Sequence, residues 1–183
     1  NCFRESSPLH PKCHYGKAKK ICEDLISSKS STGKLNSYIF RMPPVLNKSD
    51  SSNIGKLINL SKTNIPIISI AQGDLNKRSF ISFQNIKVVI SNILKDFEIF
   101  QRSEIYNLSD NHAISINELL SISGSKKIYS LPIIFGKFLF YIPFIKNLLV
   151  KLFGNFVLDN SKLKSDMGVK LESTAKLLKA KNK

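Results

Sequence analysis

The pair of residues with the clearest capacity for chemistry is Tyr15 and Lys19, which lie four positions apart. On a helix this spacing places both side chains on one face. A phenol has a pKa of about 10 and is a weak base at neutral pH, but a neighbouring ammonium stabilises the phenolate. Such a tyrosine can take a proton from a hydroxyl as a carbonyl forms, or return it. Spacing alone nevertheless favours the simpler interpretation of a packed tyrosine beside a solvated lysine.

The helix that would carry this pair is well marked in the sequence. From Tyr15 onward, apolar residues recur with the 3.6-residue period of an amphipathic helix, at Ala18, Ile21, Cys22, Leu25 and Ile26. This pattern predicts a helix that packs its apolar stripe into the core and ends in the serine-rich run 27–33. A short strand is predicted at 37–42, because Pro43 and Pro44 cannot continue a ladder.

Strands and helices then alternate along the chain. The patterns predict a helix at 54–62 and strands at 65–71, 79–83 and 105–108. A helix between the last two strands places six apolar residues on one face: Ile86, Val89, Ile90, Ile93, Leu94 and Phe97. Ser115 and Glu118 form the S-x-x-E pattern of a capping box, which predicts a further helix. The alternation favours an α/β or mixed α+β architecture.

Composition predicts a folded protein of a reducing compartment. The 183 residues are 42% hydrophobic and 22% charged, so the chain can bury a core. Residues 1–20 are polar, with no apolar signal-peptide region, and the odd count of three cysteines argues against a disulfide scaffold. A cytoplasmic location is expected. A metal site is not predicted, because the spacing matches no standard zinc pattern in the candidate set Cys2, His10, Cys13, His14 and Cys22.

The net charge of +15 raises the question of anionic partners. The cations are 24 lysines and only 4 arginines, dispersed along the chain. A nucleic-acid reader would more typically cluster arginines with exposed aromatic residues. Nucleic-acid binding is therefore not predicted, while attraction to phosphorylated ligands and acidic lipids stays open.

The most apolar stretch is 131–156, which is broken by Pro132, Pro143 and several lysines. No run in it reaches the roughly 20 clean residues of a transmembrane helix. Helical packing inside a substrate domain is the main interpretation. The alternative is weak, reversible attachment to an anionic membrane face, with lysines that reach the headgroups: Lys126, Lys127, Lys137, Lys146 and Lys151.

Beyond these patterns, six segments resemble one family in the expected order: 8–26 with Tyr15 and Lys19, 39–45 with its Arg-x-Pro-Pro turn, 76–82, 83–86, 106–120, and 157–163 with its Asp-x-Ser-Lys run. The family is the extended short-chain dehydrogenases, in particular the NAD-dependent nucleotide-sugar epimerases and dehydratases that are similar to UDP-glucose 4-epimerase. The resemblance covers nearly the whole chain, although each motif is modest by itself.

The resemblance implies a Rossmann-type domain that carries NAD and a small α+β domain that binds the substrate. Residues 1–45 would form the C-terminal part of the Rossmann-type domain, to which residues 79–100 would return. Residues 46–78 and 101–183 would form the substrate-binding domain. The implied partners are a nucleoside-diphosphate or lipid-diphosphate sugar and, in the full-length enzyme, a second copy in a homodimer.

The resemblance also implies a role for each site residue. Tyr15 would be the acid/base and Lys19 would hold the nicotinamide ribose, while hydride moves between the sugar and the cofactor. Arg78 matches a position that contacts the diphosphate of the ligand, a task suited to a forked guanidinium. Asn53 would be a second ligand contact, although asparagines in loops usually make turns.

Departures from the family pattern qualify these expectations. The sequence contains no G-x-x-G-x-x-G turn, so the backbone cradle for the pyrophosphate of NAD is missing. The family's Ser or Thr partner of the tyrosine would lie upstream of residue 1, and Leu46 and Asn47 stand where a Tyr-Gly pair is usual. The chain alone is therefore expected neither to bind NAD nor to turn over. It would be the C-terminal part of a longer enzyme or an inactive remnant that binds a sugar nucleotide or a partner.

Overall fold

A computed structural model describes residues 2–33, 35–46, 53–61, 63, 67–69, 77–95, 103–124, 128–130 and 155–181. The helices in these ranges are α1 (His14–Ser31), α2 (Asn53–Ser61), α3 (Phe83–Lys95), α4 (Ile116–Ile122), α5 (Ser161–Met167) and α6 (Thr174–Lys181). The strands are β1 (Cys2–Phe3), β2 (Tyr38–Arg41), β3 (Val45–Leu46), β4 (Ile67–Ser69), β5 (Lys77–Arg78), β6 (Ile81–Ser82), β7 (Glu104–Asn107), β8 (Ile114–Ser115), β9 (Ile128–Ser130) and β10 (Val157–Leu158).

Parallel pairing dominates the described strands, in agreement with the predicted α/β class. The longest ladder joins β2 to β7, from Tyr38 opposite Glu104 to Arg41 opposite Asn107. The pairs β1–β10, β3–β6 and β4–β9 are also parallel, and β5–β8 is antiparallel. Parallel neighbours require a crossover between them, and the segments between paired strands contain the helices.

Local chemistry explains where two of the helices begin and end. Ser115 caps α4, because its Oγ accepts a hydrogen bond from the backbone N–H of Glu118 at 3.0 Å, as the capping pattern predicts. Helix α1 continues through Ser31 and so ends inside the serine-rich run 27–33, as predicted. Its serines do not break the helix, since the hydroxyl of Ser28 donates back to the carbonyl of Leu25 at 2.8 Å. The helix ends just before Gly33, whose φ of 70° is easily adopted without a side chain.

The buried apolar side chains form two clusters. The first core cluster consists of Leu46, Phe80, Ile114, Ile116, Leu119 and Leu120, with Ala175 and Leu178 packed against it. The second consists of Ile81, Val89, Tyr106, Leu108, Leu163, Met167, Val169 and Leu171. The C-terminal segment thus contributes to both clusters, first through Val169 and Leu171 and then through α6.

The predicted burial of the apolar stripe on α1 is wrong within the described chain. None of the residues of α1 is buried, Ile21 and Leu25 are 59% and 60% exposed, and Cys22 is exposed as well. On α3 the predicted face is buried only in part, because Val89 is fully buried whereas Leu94 is 71% exposed. Periodicity identified which face of each helix is apolar, but not whether that face is covered.

Two further predictions meet the structure only in part. Of the strand expected at 79–83, only β6 (Ile81–Ser82) is found, because Ser79 and Phe80 lie between β5 and β6 and Phe83 already begins α3. The apolar stretch 131–156 lies outside the described residues except for its last two positions, and Phe97 lies outside them too. Within the described residues, no helix is both long enough and apolar enough to cross a membrane.

Candidate active site

Tyr15 and Lys19 lie together in the first turns of α1. The ammonium Nζ of Lys19 is 5.6 Å from the centroid of the Tyr15 ring, within the range of a cation–π contact. Tyr15 is 72% exposed, so its phenol faces away from the two core clusters. This exposure disfavours the interpretation of Tyr15 as a packed tyrosine, and it leaves the phenol accessible to a ligand.

The start of α1 is shaped by the residues around Gly16. Cys13 is the N-cap, and its Sγ accepts a hydrogen bond from the backbone N–H of Gly16 at 3.4 Å. A Cβ built on Gly16 would lie only 3.1 Å from the Cβ of Pro11. The glycine therefore lets the proline-containing approach pack closely against the first turn, directly beside Tyr15.

Arg78 lies on β5, where it pairs with Ile114 of β8 and forms a parallel bridge to Phe156. Its burial lowers the pKa of the guanidinium below the ordinary value, but an arginine keeps its charge at neutral pH. The strand is held from both ends, since the backbone N–H of Ser79 donates to Phe156 O at 2.8 Å and that of Lys77 donates to Asn155 Oδ1 at 2.7 Å. Arg78 is thus a half-buried cation on a strand whose backbone is held by its neighbours.

The other residue predicted to bind the ligand, Asn53, is the first residue of α2. The helix therefore starts one position earlier than predicted, and Asn53 belongs to it rather than to the preceding loop. The structure brings Tyr15 and Lys19 together on α1, while Arg78 and Asn53 stand on two other elements. Their roles in ligand binding stay predictions.

A buried polar cluster around Asp110 was not predicted from the sequence. The Asp110 carboxylate is 2% exposed and accepts hydrogen bonds from the N–H of Ser82 at 2.9 Å, from Nδ2 of Asn85 at 2.7 Å and from the hydroxyl of Thr174 at 2.7 Å. Asn85 also exchanges hydrogen bonds with the backbone of Glu172. These contacts fasten the C-terminal segment to β6 and α3, directly after the strand that carries Arg78.

A cleft of about 460 Å³ lies where the N-terminal loop meets the start of α5. It is lined by Arg4, Glu5, Ser6, Asp159, Ser161 and Lys162. Hydrogen bonds from Ser161 lower the pKa of the Asp159 carboxyl, and Arg4 contributes less, with its Nε 3.2 Å from Asp159 Oδ2. Charges of both signs line the cleft in equal number, so it does not select a ligand by net charge.

The described residues contain no group of three or more His, Cys, Asp or Glu side chains that could hold a metal ion. The three cysteines are exposed free thiols.

The fold defined by these elements is that of the Rossmann-type nucleotide-sugar epimerases and dehydratases. The chain matches UDP-N-acetylglucosamine 4-epimerase from Bacillus cereus with a TM-score of 0.67 and 15% sequence identity over 97% of its length. It matches dTDP-glucose 4,6-dehydratase from Bacillus anthracis in complex with NAD equally well, with a TM-score of 0.67 and 15% identity over 98%. A third match, with a TM-score of 0.67 and 13% identity over 97%, is UDP-glucose 4-epimerase from Stenotrophomonas maltophila with bound NAD and formylated UDP-arabinopyranose.

The chain spans about half the length of these enzymes, covering 56%, 54% and 56% of the three chains respectively. No family model and no curated protein matches the sequence. The resemblance seen in the six sequence segments is therefore confirmed by the fold, while the activity and the roles of individual residues are matters for proposal.

Proposed function

We propose that this chain is the C-terminal part of an NAD-dependent epimerase or dehydratase that acts on a nucleoside-diphosphate sugar. The observation that carries the proposal is the Tyr15–Lys19 pair, exposed on one helix of a fold shared with such enzymes. Spacing alone is also compatible with a tyrosine beside a solvated lysine, and the shared fold is what favours a catalytic role for the pair. The division into Rossmann-type residues 1–45 with 79–100, and substrate-binding residues 46–78 with 101–183, belongs to the same proposal.

The chemistry assigned to this chain is proton transfer and ligand positioning. Tyr15 takes the proton from a sugar hydroxyl as that carbon becomes a carbonyl, and returns it in the reverse step. Lys19, whose ammonium lies over the Tyr15 ring, orients the nicotinamide ribose. Arg78 holds the diphosphate of the sugar carrier. NAD, when bound, would supply the acceptor for the hydride that leaves the same carbon.

The surface of α1 supports the proposal of a longer enzyme. Its apolar stripe is exposed, and within the described residues β2 pairs with β7 alone. Parallel strands normally lie inside larger sheets that are covered on both faces. A nucleotide-binding half would extend the sheet beyond β2 and cover part of α1. The homodimer expected for the full-length enzyme stays a prediction, which light scattering on that enzyme would test.

An inactive remnant that still binds a sugar nucleotide is the second candidate. It is favoured by the absence of a glycine-rich turn from the sequence, since that turn would place a helix N-terminus at the pyrophosphate of NAD. Both candidates place the diphosphate contact on Arg78. They differ in whether joining the chain to a nucleotide-binding half restores turnover.

Calorimetric titration of the 183-residue chain with UDP and with NAD tests the part of the proposal that concerns binding. UDP is expected to bind, and Arg78→Gln is expected to weaken its affinity about 10- to 100-fold, because a charged hydrogen bond to the diphosphate is lost. The neighbouring exposed cation offers a matched control, Lys77→Gln, which should change the affinity little. NAD is expected not to bind.

Three outcomes would contradict this account. UDP that fails to bind, or that binds Arg78→Gln as tightly as the unaltered chain, would remove the assigned role of Arg78. Micromolar affinity for NAD would show that the chain supplies a cofactor cradle of its own.

A further inference from the structure

Helix α1 contacts the rest of the described chain through its polar face. Its half-buried positions are Gly16, Lys20, Glu23, Ser27 and Ser30, which recur every three or four residues and so share one face. The apolar stripe lies on the opposite side and is exposed. Since no residue of α1 is buried, hydrophobic packing against the described chain does not fix the rotation of the helix about its axis.

An ion pair between Arg41 and Glu23 instead attaches α1 to the described chain. The guanidinium of Arg41 at the end of β2 binds Glu23 through two nitrogens, with Nε 3.1 Å from Oε2 and Nη2 against Oε1. Only 19% of the Arg41 side chain and 14% of the Glu23 side chain are exposed. A bidentate arginine–carboxylate pair fixes both distance and direction, and a point charge such as lysine would not.

Arg41 is itself held by two neighbouring elements. Its Nη1 donates to the carbonyl of Glu5 at 2.7 Å, and the carboxylate of Glu5 accepts from the backbone N–H of Asn107 on β7 at 2.8 Å. The guanidinium therefore sits between the N-terminal loop and the β2–β7 ladder. At the far end of α1, the hydroxyls of Ser30 and Ser37 lie 2.7 Å apart, which is a second polar contact with the chain before β2.

We propose that Glu23 and Arg41 are positioning residues, which set the rotation of α1 and so the direction that Tyr15 and Lys19 face. Glu23 lies eight residues, or about two turns, after Tyr15 on the same continuous helix. A change of rotation at Glu23 is therefore carried to the phenol. The consequence for catalysis rests on the proposed function, whereas the effect on the helix does not.

Distances between two spin labels in the 183-residue chain test the effect on the helix. One label sits on Cys22, which is exposed on α1, and the other on Ser91→Cys, which is exposed on α3; the remaining thiols are removed by Cys2→Ser and Cys13→Ser. Serine at position 13 can still cap the helix. We expect one narrow distance distribution in this background.

Glu23→Gln and Arg41→Lys should each broaden or shift that distribution. The control is Asp24→Asn, because Asp24 is the next residue and forms only an exposed pair with Lys20; it should leave the distribution narrow. The charge reversal Glu23→Arg with Arg41→Glu should narrow it again. A role in stability alone would lower the melting temperature but keep the folded-state distance. A distribution that stays both narrow and unshifted in Glu23→Gln would overturn the proposal.

Kinetics of the full-length enzyme separate this proposal from the proposed function. Glu23→Gln should lower kcat about tenfold or more with little change in KM, because a misdirected acid/base affects the chemical step. Asp24→Asn should not. An unchanged kcat in Glu23→Gln would overturn the catalytic part of the positioning role. If Tyr15→Phe keeps its turnover while the labels still respond to Glu23→Gln, the proposed function fails and the positioning of α1 stands.

Discussion

Replacing Tyr15 with phenylalanine in the full-length enzyme is expected to lower turnover about 10²- to 10⁴-fold. The phenol is the group that accepts and returns the proton in the proposed mechanism, and the substitution removes its oxygen alone. The fold should be unaffected, because Tyr15 is 72% exposed and packs in neither core cluster. Initial-rate kinetics with a nucleoside-diphosphate sugar, together with a thermal melt, measure both effects.

A matched control is available in Tyr129→Phe. Tyr129 is another exposed tyrosine, at 57%, and it lies on strand β9 rather than on α1. Its loss should leave turnover unchanged. Near-normal turnover in Tyr15→Phe would contradict the assignment of Tyr15 as the acid/base, whatever the control shows.

The largest effect on stability is expected at Asp110. Replacing it with alanine leaves three buried donors without their acceptor: the N–H of Ser82, the amide of Asn85 and the hydroxyl of Thr174. The free energy of unfolding should fall by about 3 kcal/mol or more, since each unsatisfied buried donor costs about 1–3 kcal/mol. For a chain of this size the melting temperature should drop by about 6–12 °C.

The comparison for this experiment is Asp24→Ala, which removes an exposed carboxylate paired only with Lys20. Exposed pairs contribute little, so its melt should coincide with that of the unaltered chain. Thr174→Val removes one donor together with its hydrogen bond to Asp110, so its melting temperature should lie between those of Asp110→Ala and Asp24→Ala. Equal melting temperatures for Asp110→Ala and Asp24→Ala would show that the buried cluster does not hold the C-terminal segment.

Much of the local structure could be predicted because its causes are local. The capping pattern at Ser115 and Glu118 defined the start of α4, and the two prolines after residue 42 ended the strand that became β2. The four-residue spacing of Tyr15 and Lys19 was enough to place them side by side. The ordered set of family-like segments predicted the fold that the solved enzymes share with this chain.

The features that could not be predicted depend on residues distant in sequence. Asp110 receives hydrogen bonds from partners 25 and 64 positions away, and no pattern in a single sequence joins them. The predicted burial of the apolar stripe on α1 was wrong for a related reason, because periodicity shows which face is apolar but not what covers it. Arg41 and Glu23 show the converse, because a charged pair rather than the apolar stripe attaches the helix to the described chain.

The central claim is that Tyr15 is the acid/base for a sugar hydroxyl, while bound NAD transiently oxidises the same carbon. Rapid mixing of the NAD-loaded full-length enzyme with a nucleoside-diphosphate sugar, followed by the absorbance of the reduced nicotinamide, measures that step directly. The account predicts that the absorbance appears in the unaltered enzyme and is slowed about 10²- to 10⁴-fold in Tyr15→Phe. An enzyme that converts the sugar while its cofactor stays oxidised throughout, or whose cofactor is reduced equally fast without the phenol, would contradict it.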